Sequence, residues 1–175
     1  MFKNPTLAIA LAAAFALAAS GAQAQSQKND SDSKSFIKNA IEGNYAEINV
    51  GKLAQEKGKS EGIKQFGKML VDDHTAANDK AIAAAKQMGV TPPSSSSLME
   101  KGTYLKLKVL SGDSFEKSFI SSMISDHKSD IKEFQTESGK NDPAGQFAKE
   151  ALPTLQKHLQ EAEKLQSQVQ TTGSK

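Results

Sequence analysis

Three histidines, His74, His127 and His158, are the only imidazoles in a chain of 175 residues that has no cysteine. A site for a soft or borderline metal must therefore be built on them, with carboxylates to complete it. Neutral imidazoles plus one carboxylate suit Zn, Fe, Mn or Cu. Each histidine lies on the apolar stripe of a different helical pattern. His74 follows Leu70 by four residues, His127 stands between Ile124 and Ile131, and His158 runs with Leu155, Ala162 and Leu165. Glu47, flanked by Asn44, Ile48 and Gly51, lies on or beside the inner face of an earlier pattern. The expected site is an interior layer of Glu47, His74, His127 and His158 holding one transition-metal ion, with Asp130 or Asn44 as a further ligand or outer partner. Asp73 and Asp126 each precede a histidine, and helical neighbours point about 100° apart, so these acids are expected to face solvent or flank the stripe. The competing reading is a purely structural or stress-associated interaction protein, in which the same residues form a hydrogen-bonded layer that fixes helix register and binds nothing.

No catalytic residue is assigned. Ser94 to Ser97 have no neighbouring base and read as linker. Met69, Met88, Met99 and Met123 fall at core-like spacing, and Tyr45 and Tyr104 are expected to pack with their hydroxyls at the rim.

The elements that must carry the site are helices. The first pattern runs from about Ser35 to Lys57 and ends at Gly58. The second opens at Ser60 with Glu61 in its first turn and ends at Met88 before Gly89, a natural C-cap. Thr91-Pro92-Pro93 followed by four serines cannot continue a helix. Leu98 to Leu110 predicts a short helix, closed by Ser111-Gly112. Asp113 or Ser114 then caps a third long helix to Glu137, and a fourth runs from Pro143 to about Val169 with Pro153 inside it. No stretch alternates as a strand would. Two short turns give antiparallel hairpins, and a connection of more than twenty residues can run the length of a bundle. The expected fold is thus an all-α, ferritin-like four-helix bundle with a short helix in the crossover between helices 2 and 3.

Counting from the first turn near Lys59 places Glu47 and His74 about 18–22 Å along their helices, and counting from Lys140 places His127 and His158 at about 20 and 27 Å. One shared polar level is expected, with His158 somewhat deep. An internal echo supports a pseudo-twofold: Phe36, Ile41, Asn44 and Glu47 align with Phe119, Ile124, His127 and Asp130, and downstream His74 answers His158.

The ends set the compartment. Lys3, the apolar run Leu7 to Ala19 and Ala22-Gln23-Ala24 form the pattern of a cleaved signal peptide over residues 1–24. The run is shorter than the ~20 residues that span a bilayer, so no transmembrane helix is expected in the mature chain. Residues 25–34 are expected as a flexible polar leader, 35–170 as the bundle and 171–175 as a polar tail, in a periplasmic or secreted protein. Formal net charge is +2, all 22 basic residues are lysine, and they alternate with acids. Without arginine to grip phosphate or guanine bidentately, nucleic acid is not an expected partner; a homo-oligomer is allowed for.

Several segments resemble one known family. These are Ala46-Glu47-Ile48 with Gly51-Lys52-Leu53-Ala54, Phe66 through Asp72-Asp73-His74, Phe119 through Ser125-Asp126-His127, and Leu152-Pro153 with His158-Leu159. They are similar to an exported bacterial family of unknown function whose members are often labelled membrane or outer-membrane proteins. The likeness covers residues 35–168 and implies a ferritin-like fold, export and no established activity. Di-iron ferritin-like proteins carry Glu-x-x-His on two helices, whereas Val71 and Leu155 stand three residues before His74 and His158 here. Two bridging carboxylates are thereby missing, which argues against di-iron oxygen chemistry. The reading leans against an enzyme; a redox or hydrolytic metalloenzyme, the third class, needs an open coordination position and an access path.

Overall fold

The computed structural model describes the backbone of residues 9–172 and the side chains of residues 26–98 and 101–169. The expected signal peptide with its cleavage site, and the expected tail, lie outside the residues whose side chains are described. Five helices follow one another, with no strand among the described residues: α1 (Ile9–Lys57), α2 (Glu61–Gln87), α3 (Leu98–Lys108), α4 (Gly112–Glu137) and α5 (Pro143–Thr172). None of them is long and apolar enough, over the described residues, to cross a membrane.

The four long helices bury their stripes in two apolar clusters. One joins Phe36, Ile37 and Ile41 of α1 with Ala81 and Ala85 of α2, Phe134 of α4, and Phe147 and Leu155 of α5. The other joins Val50 and Leu53 of α1, Ile63, Phe66 and Leu70 of α2, Phe115, Phe119 and Met123 of α4, and Ala162 and Leu165 of α5. Along α1 and α5 the first cluster precedes the second; along α2 and α4 the order is reversed. The chain therefore runs one way in α1 and α5 and the other way in α2 and α4. This is the ferritin-like arrangement, in which the long connection after α2 must travel the bundle's length before α4 can start. α3 lies in that connection and packs against α1 and α4 through buried Leu107.

The first hairpin is tight for identifiable reasons. Ser60 caps α2, its Oγ accepting from Ile63 N at 3.4 Å. The turn is tied to α4 by Glu116, whose Oε1 accepts from Lys59 N (2.8 Å), Ser60 N (2.7 Å) and Ser60 Oγ (3.1 Å). Farther down, α1 and α2 meet backbone to backbone at two glycines. A Cβ added to Gly67 would stand 2.6 Å from Gly51 O, and one added to Gly51 would stand 2.7 Å from Gly67 O. Gly89, at φ 67°, closes α2 in the left-handed conformation that its sequence position predicts.

Two boundaries differ from expectation. Residues 25–34, expected to be flexible, continue α1 as helix. Their charges pair at i,i+4 spacing, Lys28 with Asp32 and Asp30 with Lys34, and buried Ser33 accepts from Lys140 Nζ of the α4–α5 turn at 3.1 Å. Polar composition alone hides such pairing. The start of α4 also moves: Ser111 is its N-cap residue, and Asp113 in the first turn pairs with Lys59 at 2.7 Å.

Candidate metal centre

Between the two apolar clusters lies a polar layer. Asn44 on α1, His74 on α2, His127 on α4 and His158 on α5 are each buried, and on each helix they stand between residues of one cluster and residues of the other. The three rings form a nearly equilateral triangle, with centroids 5.8 Å (His74–His127), 5.2 Å (His74–His158) and 5.3 Å (His127–His158) apart.

The outer nitrogen of each ring is held by an acceptor that cannot donate. His74 Nδ1 donates to Asn44 Oδ1 (2.9 Å), His127 Nδ1 to the Met123 carbonyl one turn earlier (2.9 Å), and His158 Nε2 to Asp73 Oδ2 (2.9 Å). These bonds fix the tautomers, so the remaining nitrogens carry lone pairs: Nε2 of His74, Nε2 of His127 and Nδ1 of His158. The latter two face each other at 3.2 Å, and His74 Nε2 is buried without a hydrogen-bond partner. One nitrogen from each histidine lies within 4.8 Å of the other two.

Electrostatics keep the rings neutral. Burial pushes His74 well below the ordinary imidazole range, with His127 and His158 adding to the effect. Burial, then His158, lowers His127 to about 4 against the opposing bond to Met123. His158 is lowered by burial in spite of the Asp73 carboxylate, which favours its charged form. Neutral imidazole is the form that binds a metal.

Not every expected residue joins this cluster. The three histidines meet, but Glu47 and Asp130 stay outside the group, on the wall of an adjoining cavity of about 570 Å³. Asn44, not Glu47, faces His74, and the hairpin count explains it. Asn44 lies as far before Lys59 as His74 lies after it, whereas Glu47 is three residues, about 4.5 Å of helix, nearer the turn. His158, expected to lie too deep, is brought level by side-chain direction. Helical side chains lean toward the N-terminus, so His158 reaches back toward the α4–α5 turn and His127 reaches away from it. Asp73, expected at the flank of the stripe, is there, but it also holds His158; nothing in the sequence of α2 alone signals a partner 85 residues away.

An all-α, ferritin-like bundle with a buried three-histidine layer is the class that this fold and site define. Residues 18–165 match the family described as a domain of unknown function, DUF4142, and the chain belongs to that family. Among solved structures it is similar to the "Crystal structure of DUF305 fragment from Deinococcus radiodurans", at 11% identity and a TM-score of 0.70, covering 78% of this chain and 96% of that one. At that identity the likeness is one of fold. No curated protein matches the chain.

Proposed function

We propose that the protein is an exported, non-enzymatic bundle that binds one transition-metal ion through His74, His127 and His158. The observation that carries this reading is the direction of the protons. Three outer N–H groups are each committed to an acceptor, and one nitrogen from each of the three buried rings lies within 4.8 Å of the other two. Ligating histidines typically donate their second nitrogen to a carboxylate, a carbonyl or a similar acceptor, which orients the ring and raises its basicity. With metal–nitrogen bonds of about 2.0–2.1 Å, tetrahedral ligands stand about 3.3 Å apart, and His127 Nε2 and His158 Nδ1 already stand at 3.2 Å. Two lone pairs at that distance repel unless a proton or a cation lies between them. Desolvation opposes the proton, and coordination favours the cation. A donor set of three imidazoles favours Zn or Cu over Mn, which prefers oxygen ligands.

The polar-layer alternative has one observation in its favour: Asp73, His158 and His127 form a continuous chain that could stabilise a shared proton. Metal titration separates the two. Chelator-treated protein titrated calorimetrically with Zn(II) is expected to take up one equivalent. His127→Gln, checked for helicity, should lose it, and Asp73→Asn should bind about 10–100-fold more weakly while keeping the stoichiometry. Uptake unchanged in a folded His127→Gln variant refutes the site. Export is supported by Lys3, the apolar run that follows and Ala22-Gln23-Ala24, and mass measurement of the mature chain tests cleavage after Ala24.

A further inference from the structure

We propose that α3 is a membrane-docking helix, whose outward face seats the bundle reversibly on an anionic phospholipid surface, independently of the histidine layer. Among the described residues, the large apolar side chains left exposed are Leu98 (86%), Leu105 (59%) and Val109 (82%). All three fall on α3 or one residue past its end. Spacings of seven and four residues bring them to one side of the helix, within about 40° of one another. Leu107 is buried in the bundle on the opposite side, with Thr103 and Tyr104 half-buried beside it. α3 is therefore apolar on two faces. A helix of that kind needs two surfaces to cover it, and the bundle supplies one. The end that carries Val109 is anchored: Lys57 Nζ donates to the Lys108 carbonyl, and Leu110 N to the Leu107 carbonyl at 3.1 Å.

Charge identifies what covers the other face. Lys101 and Lys108 flank the stripe on one side and Lys106 on the other, about 60–80° from its centre, and all three are exposed. Lysines elsewhere on the surface pair with acids, as Lys59 does with Asp113 and Lys128 with Glu163. No carboxylate pairs with Lys101, Lys106 or Lys108 among the described residues, and Lys108 Nζ lies over the Tyr104 ring instead, 5.9 Å from its centre. The acidic cleft between α1 and α4 borders α3 through Ser97 and Thr103, on the side turned away from the stripe. An apolar stripe edged by lysines matches the boundary of an anionic bilayer. Aliphatic side chains enter the acyl region there, and ammonium groups reach the phosphates. A second copy of the chain fits the stripe less well. A two-fold contact would set lysines against lysines. The stripe, about 16 Å long and one helix wide, also falls far short of the roughly 800 Å² per partner that a stable dimer buries.

The chain has no tryptophan, so a single one reports its own surroundings. Full-length Val109→Trp protein mixed with phosphatidylglycerol vesicles at low ionic strength is expected to shift its emission to the blue. Pure phosphatidylcholine vesicles should give no shift, and salt should reverse the one seen with phosphatidylglycerol. Gln65→Trp, on the exposed surface of α2, should keep the emission of a residue in water in the same mixture. That comparison separates docking through α3 from any attachment through the apolar run near the N-terminus. Adding Lys101→Gln and Lys106→Gln to the Val109→Trp chain should weaken vesicle binding about 30-fold, and adding Leu105→Ser about tenfold. A Val109→Trp emission unmoved by anionic vesicles, or moved equally by phosphatidylcholine, overturns the proposal. So does an equal shift of Gln65→Trp. A shift without vesicles that grows with protein concentration overturns it in favour of a second copy. Circular dichroism checks each variant, and Leu105→Trp replaces Val109→Trp as reporter if the latter loses helicity.

Discussion

Acid should destabilise the metal-free protein earlier and more steeply than its carboxylates require, and His127 sets the size of the effect. Its folded-state pKa is about 4, below the ordinary value of 6.5 that it regains on unfolding. Between these limits the unfolded chain binds a proton that the folded chain refuses. The associated stability is therefore complete above pH 6.5 and is lost as the pH falls toward 4. A gap of that width corresponds to about 3 kcal/mol, of which about 2 kcal/mol is gone by pH 5, before most carboxylates titrate. His74, shifted in the same direction, adds to the slope. Urea unfolding of chelator-treated protein at half-unit steps from pH 7.5 to 5 measures it. The His127→Gln variant should lose a large part of the slope even if it is less stable overall. A flat profile refutes the argument. Stability that rises on acidification would show that His127 and His158 already share a proton beside Asp73, which is the signature of the polar-layer alternative.

Two further predictions concern the scaffold. Gly67→Ala places a Cβ 2.6 Å from the Gly51 carbonyl, and a backbone atom cannot swing aside as a side chain can. We expect a loss of about 1–3 kcal/mol in thermal or urea unfolding, and a neutral result would mean that α1 and α2 pack less closely than described. Glu116→Ala removes the acceptor shared by Lys59 N, Ser60 N and Ser60 Oγ at the first turn. Its expected cost is about 2–3 kcal/mol, with faster hydrogen exchange at the Lys59 and Ser60 amides; unchanged exchange there would refute the tie.

Much of this architecture is written in local pattern. The stripes of α2 and α5, the turn at Gly58 to Ser60 and the prolines after Thr91 suffice to place four long helices and the crossover, because each feature acts within a turn or two of helix. The three histidines are legible as one layer for a related reason: each interrupts an apolar stripe, His74 and His127 at similar depth and His158 somewhat deeper by residue count. What the sequence does not disclose is orientation. Whether Asn44 or Glu47 meets His74 depends on a register difference of one helical turn. Asp73 meets His158 because two helices lie side by side, and neither helix carries a local sign of it. The helical continuation through residues 25–34 escapes a compositional reading because polar residues also make helix when their charges pair along it.

The pseudo-twofold shows how the centre acquires its asymmetry. In the internal echo Asn44 corresponds to His127 and His74 to His158, so the layer has four equivalent places and imidazoles in three of them. A fourth imidazole would close a four-coordinate ion against solvent and exchange, as in structural sites. The amide at Asn44 instead accepts from His74 Nδ1, and on the metal-binding reading three imidazoles would leave one position of a four-coordinate ion to be filled from outside. Asn44 also lines the acidic cleft between α1 and α4. The one departure from symmetry thus sits beside that cleft and orients His74, and on the metal-binding reading this suits a centre that takes up and releases its ion better than one that locks it in.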